Sequence, residues 1–67
     1  MDLYDLVELK EALPEENLPA GAVGSIVHVF HQPELAYEIE FTDEEGRTLN
    51  SVALTPDRIR RVWTNRS

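Results

Sequence analysis

Residues Ala36-Tyr37-Glu38-Ile39-Glu40-Phe41 alternate without a fault, and that period of two constrains the chain more than any other feature. Successive strand side chains point to opposite faces, so Tyr37, Ile39 and Phe41 share one face while Glu38 and Glu40 share the other. A helix would scatter the same residues round its circumference. An apolar face backed by an acidic one fits an antiparallel sheet with a core on one side and water on the other. The chain has 67 residues, enough for one domain spanning 1–67 and no second one. At about 60 residues only about 60% of the unfolded chain's surface is buried, so the core must be thin and no deep substrate cleft is expected.

The flanking segments supply partners for that strand. Asp5-Leu6-Val7-Glu8-Leu9 alternates as a first strand, with Val7 and Leu9 facing one way. Val23–Phe30 is rich in β-branched residues and reads as a second, with Gly24 marking a bulge or a close backbone approach. Asp43-Glu44-Glu45-Gly46-Arg47 reads as a hairpin loop with Gly46 free to take a positive φ. Thr48–Leu54 returns as a fourth strand whose Leu49 and Val52 fall out of phase, which a bulge would explain. Thr55-Pro56-Asp57-Arg58 suggests a single turn with Thr55 as N-cap and Pro56 at the first helical position. Arg60–Trp63 would make a short fifth strand, and 64–67 is expected to fray.

Between the first two strands, Glu11–Gly21 contains two prolines and a terminal glycine. It reads as a structured loop with room for one helical turn at Pro14–Asn17. His31–Leu35 is a connecting turn. About five short strands, one long early loop and one turn before the last strand describe an all-β, small SH3-like barrel, whose closure would limit exposed edges.

Charge is unevenly placed. The net charge is −7, and twelve of the thirteen acids lie in residues 1–45 with Lys10 as the single base there. Residues 46–67 carry Arg47, Arg58, Arg60, Arg61 and Arg66 against Asp57 alone. An acidic body repels phosphate backbones and attracts a basic partner at low salt. The competing explanation is plain solubility. The absence of cysteine removes disulfides and thiolate chemistry, which favours a cytoplasmic home. No signal-peptide pattern opens the chain, and its apolar runs are far short of the roughly 20 residues needed to span a bilayer.

Motifs for catalysis are sparse. His28 and His31 are three apart, on opposite faces of a strand, and with Glu34 nearby they fall short of a zinc ligand set. Ser25 and Ser51 lack a matched base and oxyanion donors. Glu38 and Glu40 have a separation, about 7 Å by strand rise, within the range glycosidases use. An outward sheet face, however, offers no concave site to raise either pKa. Asp43-Glu44-Glu45 lacks the alternating oxygen ligands of an EF-hand. The expectation is a protein that is no enzyme and holds no metal or cofactor.

Five segments occur in a telling order: Tyr4-Asp5-Leu6-Val7, Leu13-Pro14-Glu15, Gly21–Val27, Tyr37–Phe41 and Leu54-Thr55-Pro56-Asp57. Over about residues 3–62 the chain resembles the bacterial domain of unknown function 4926 family, common in cyanobacteria. That resemblance implies an SH3-like barrel and no assigned activity. An association of the family with neighbouring toxin genes implies an antitoxin or immunity role. Gly21-x-x-Gly24-x-Ile26-Val27 also resembles the KOW segment of ribosomal and elongation proteins, without the basic residues expected round it.

Three readings follow. In the first, the chain is an acidic protein-binding module that occludes a basic partner through Glu11, Glu15, Glu16, Glu34, Glu38, Glu40, Asp43, Glu44 and Glu45. Leu18 and Leu35 are expected to be exposed and to supply contact area, and Trp63 either covers the barrel end or anchors the interface. In the second, the chain is a structural subunit or homo-oligomer, since a thin core favours assembly. In the third, Arg58, Arg60 and Arg61 bind nucleic acid. A proline-peptide reader would need a cluster of aromatics beside its acidic loop, which Tyr4, Phe30, Tyr37, Phe41 and Trp63 do not make in sequence.

Overall fold

The structure, a computed structural model, describes residues 1–65. Five strands run β1 (Leu6–Leu9), β2 (Val23–Phe30), β3 (Ala36–Thr42), β4 (Thr48–Leu54) and β5 (Ile59–Trp63). They form one antiparallel sheet in the order β4-β3-β2-β1-β5. Single 3₁₀ turns at Pro14–Glu16 and Pro56–Arg58 are the only helical elements among the described residues. This is the all-β, SH3-like arrangement expected, with one difference: β4 and β5 end the sheet as open edges and do not pair.

The alternation in β3 sets the layers. Tyr37, Ile39 and Phe41 are buried, and Val7, Leu9, Ile26, Leu54 and Ile59 meet them from the other strands. Leu13 and Leu18 close the core from the long first loop, where they exchange backbone hydrogen bonds of 2.8 and 3.1 Å across the 3₁₀ turn. Leu18, expected to be exposed, is therefore only 6% accessible. A hydrophobic residue inside a polar, proline-bounded loop is needed because the sheet alone cannot roof its own core in so short a chain.

Three bulges adjust which residues reach the core. Phe41 pairs with Asn50 but Thr42 with Thr48, which leaves Leu49 as the extra residue and explains its phase error. Ile26 pairs with Ile39 but His28 with Glu38, so Val27 is extra. That slip turns Val29 toward the core and sends His28 and Phe30 outward, their rings edge to face at 4.6 Å. The third lies between Leu6 and Val7, opposite Val62. Gly24 is the close approach: a Cβ there would sit 2.7 Å from the Glu40 carbonyl oxygen and 2.7 Å from Ile39 Cγ2. Gly46 takes its positive φ of 81° in the β3–β4 hairpin, and the β2–β3 turn contains a cis Gln32–Pro33 peptide.

Two local expectations are corrected. Pro56 does open the second 3₁₀ turn, yet Thr55 makes no side-chain cap to it. The Thr55 hydroxyl instead helps hold the Asp57 carboxyl below its ordinary range. Trp63 is 52% exposed beside Leu6 on the outer face, so it does not cover the barrel end. Of the tail expected to fray, Thr64 and Asn65 are hydrogen-bonded to Asp5; Arg66 and Ser67 lie outside the described residues.

Candidate functional site

The acids singled out from the sequence do not form one patch. Register places the first loop and the β3–β4 hairpin at one end of the sheet, because Gly24 at the start of β2 pairs with Phe41 at the end of β3. Asn50 ties the two together by donating through Nδ2 to the Glu16 carbonyl at 3.1 Å and to Glu16 Oε1 at 2.9 Å. Its Oδ1 is buried with no partner among the described residues. Glu15, Glu16, Asp43, Glu44 and Glu45 thus gather at this end. Glu34 and Leu35, which is 41% exposed, sit at the other, in the turn after Phe30. Glu38 and Glu40 occupy the outer face between the two ends, in the central part of β3. Glu11 lies at the first end too, at the start of the first loop beside Lys10 and Arg58.

Several of these charges are already engaged. Arg47 Nε donates to Asp43 Oδ2 at 2.9 Å and its Nη2 reaches Glu45 Oε2 at 3.1 Å. The N–H groups of Arg47 and Glu45 donate to Asp43 Oδ1, each at 2.9 Å. The Arg47 N–H above all holds the Asp43 carboxyl below its ordinary range, with the Glu45 N–H and the guanidinium adding to it against partial burial. Glu8 accepts from Arg60 Nη1 at 3.3 Å. The Ser51 hydroxyl donates to Glu38 Oε2 across the β3–β4 pair. Glu11, Glu15, Glu34, Glu40 and Glu44 take part in no hydrogen bond or ion pair with the described residues.

Asp5 is the carboxylate that sequence reasoning treated only as the start of a strand. Its side chain is wholly inaccessible and accepts three bonds: from the N–H of Asp2 at 2.9 Å, the N–H of Asn65 at 2.8 Å and the Thr64 hydroxyl at 3.0 Å. The two N–H donors, Asp2 first, hold its carboxyl below the ordinary range and outweigh the upward push of burial; the Thr64 hydroxyl and the nearby Arg61 charge act the same way. An aspartate among apolar residues at a strand start was the available signal, but two of its three donors lie some 60 positions away. Asp5 has no room for a ligand. Its role is to bind the two ends of the chain.

One concavity, of about 180 Å³, is lined by Leu9, Lys10, Glu11, Leu13, Asp57 and Arg58. It is below the roughly 300 Å³ at which small-molecule sites begin. Its cations and acids alternate, and the Asp57 carboxyl is held below its usual range first by the Thr55 hydroxyl, with Arg58 and Lys10 contributing. His28 and His31 gather no third ligand, and the described residues contain no cluster of three metal-ligating side chains. No helix of the structure is long and apolar enough to cross a membrane. What the arrangement offers is surface: an outer sheet face with two carboxylates, flanked by exposed apolar residues such as Val23, Phe30 and Trp63.

No curated protein and no solved structure matches the chain. The model of the family described as Domain of unknown function (DUF4926) matches residues 3–61, most of its length. The chain belongs to that family.

Proposed function

We propose that this protein is a small acidic binding module that engages a basic protein by charge complementarity and surface occlusion, in the manner of an antitoxin or immunity partner acting in the cytoplasm. The observation that carries the reading is the fate of the basic residues. Arg47 pairs with Asp43 and Glu45, and Arg60 with Glu8; among the described residues five glutamates are left without such partners, against Lys10, Arg58 and Arg61. The acid excess of the chain is thus turned outward, where it steers and orients a cationic surface. Leu35 and Trp63, both exposed, supply apolar contact beside it.

The same balance weighs against nucleic-acid binding: Arg58 and Arg61 are left unpaired among the described residues, but the larger number of unpartnered glutamates repels phosphate. The test is a tagged pull-down at low salt with stepwise salt elution. One basic protein in stoichiometric amount is expected, released as salt rises and lost from a Glu34→Lys/Glu44→Lys variant. Recovery of the bait alone, as a homo-oligomer by light scattering, would replace this reading with the structural-subunit one.

A further inference from the structure

The two open edges of the sheet differ in a way that assigns them different roles. β5 carries Arg60 and Arg61, and charged residues on an edge discourage another strand from pairing there. β4, Thr-Leu-Asn-Ser-Val-Ala-Leu, has no charged residue and no proline over its seven positions. Thr48, Leu49, Ser51 and Ala53 are exposed, Leu49 at 58%. Apart from its ladder with β3, no backbone–backbone hydrogen bond among the described residues involves residues 48–54. An edge guarded only by the Leu49 bulge near its start leaves residues 50–54 as a template for a further strand.

We propose that β4 is the docking edge of this module, and that its occupant is an extended basic segment of the partner protein, added as a further strand. The proposal rests on the basic-partner reading and specifies how the partner is held. Register supplies the charge argument. Ser51 pairs with Glu40 and Ala53 with Glu38, so all four lie on the outer face. Outer-face side chains of an added strand would stand beside Ser51 and Ala53, two strand spacings or roughly 10 Å from the β3 carboxylates. Ser51 and Ala53 are too small to wall those carboxylates off, and a lysine or arginine stem spans that gap. Glu38 already receives the Ser51 hydroxyl, whereas Glu40 has no internal partner among the described residues. A second copy that pairs its own β4 against this edge presents only uncharged side chains, and so offers these carboxylates no cation. Main-chain bonds to β4 would provide adhesion, and alternate basic side chains over β3 the selectivity.

The test uses the full chain and three short synthetic peptides: alternating lysine and valine, alternating glutamate and valine, and the lysine–valine sequence N-methylated at every residue. Amide exchange and chemical shifts are followed at low salt. The lysine–valine peptide is expected to slow exchange at residues 48–54; Glu40→Gln should weaken it roughly fivefold, the upper end for an exposed ion pair. Ser51→Lys, or Ala53→Lys should the first disturb folding, should abolish it, because the edge then carries the charge of its ligand. Equal binding of the N-methylated peptide, which has no N–H left to donate to a ladder, would overturn strand addition and leave the basic-partner reading standing. Equal binding of the glutamate–valine peptide would overturn both. Self-association abolished by Ser51→Lys would give the edge to a second copy and overturn the proposal. Failure of all three peptides overturns it too, and the pull-down then decides the basic-partner reading on its own.

Discussion

Asp5 and Asp43 do the same chemistry at opposite depths. Each carboxylate accepts three bonds, two of them from backbone N–H groups, and each is held below the ordinary carboxyl range. Asp43 finds its donors two and four residues away, in an exposed hairpin. Asp5 finds two of its donors 59 and 60 residues away, with no access to water. A local carboxylate fixes a turn. A non-local one fixes topology, since its donors are in place only when β1 and β5 have already paired. Water can replace the donors around Asp43 but not those around Asp5, where an unmet group keeps its full desolvation penalty.

That contrast yields predictions of decreasing size. Asp5→Ala should give the largest fall in urea midpoint of any single carboxylate replacement. Amide protection should be lost jointly in Leu6–Leu9 and Ile59–Trp63; loss confined to the termini would reduce Asp5 to a local clamp. Gly24→Ala tests the frame to which both carboxylates are fixed. The added methyl must displace the Glu40 carbonyl or the Ile39 side chain, at a cost of about 1–3 kcal/mol, read as a shift in midpoint without a change in slope.

Acid titration sharpens the comparison next. Both groups have folded-state values below the unfolded one, so each adds stability above the unfolded carboxyl pKa. That contribution fades as pH falls through the folded value. Stability should therefore decline on going below about pH 4. Asp5→Asn should flatten that decline more than Asp43→Asn does; the reverse order would show that depth is irrelevant. Asp43→Asn itself should accelerate exchange at Glu45 and Arg47 while leaving the two termini untouched. Smallest of all, Arg60→Gln removes an exposed pair with Glu8 and should cost about 0–1 kcal/mol, vanishing in high salt.

Legibility in the sequence followed the same division between local and distant causes. β2 and β4 have the bounds read from pattern, and β3 extends by one residue to Thr42. The bulge at Leu49 was visible as a phase error because Val52 and Leu54, which follow it, keep the core face. The bulge at Val27 was not, since Ile26-Val27-His28-Val29-Phe30 is apolar enough to satisfy either phase. Burial of Leu18 escaped because nothing in a loop's composition says which of its leucines turns inward. Trp63 was placed on the right strand but its exposure depends on where Leu6 and the bulge beside it fall. For the candidate surface, the positions of the acids could be read directly. Their partial neutralisation by Arg47 was within reach, being local, whereas the Arg60–Glu8 pair required strand neighbours 52 residues apart.

The bonding of Asp2 and Asn65 to one carboxylate has a practical meaning beyond stability. The polypeptide enters and leaves the sheet at a single doorway. A tag, fusion partner or longer natural chain attached at either end would project from that same spot. Joining the ends through a brief flexible segment and reopening the chain at the Asp43–Arg47 hairpin should yield a permuted molecule with the same sheet. By the same logic, the whole unit can be spliced into a loop of a carrier protein without prying the carrier's loop apart.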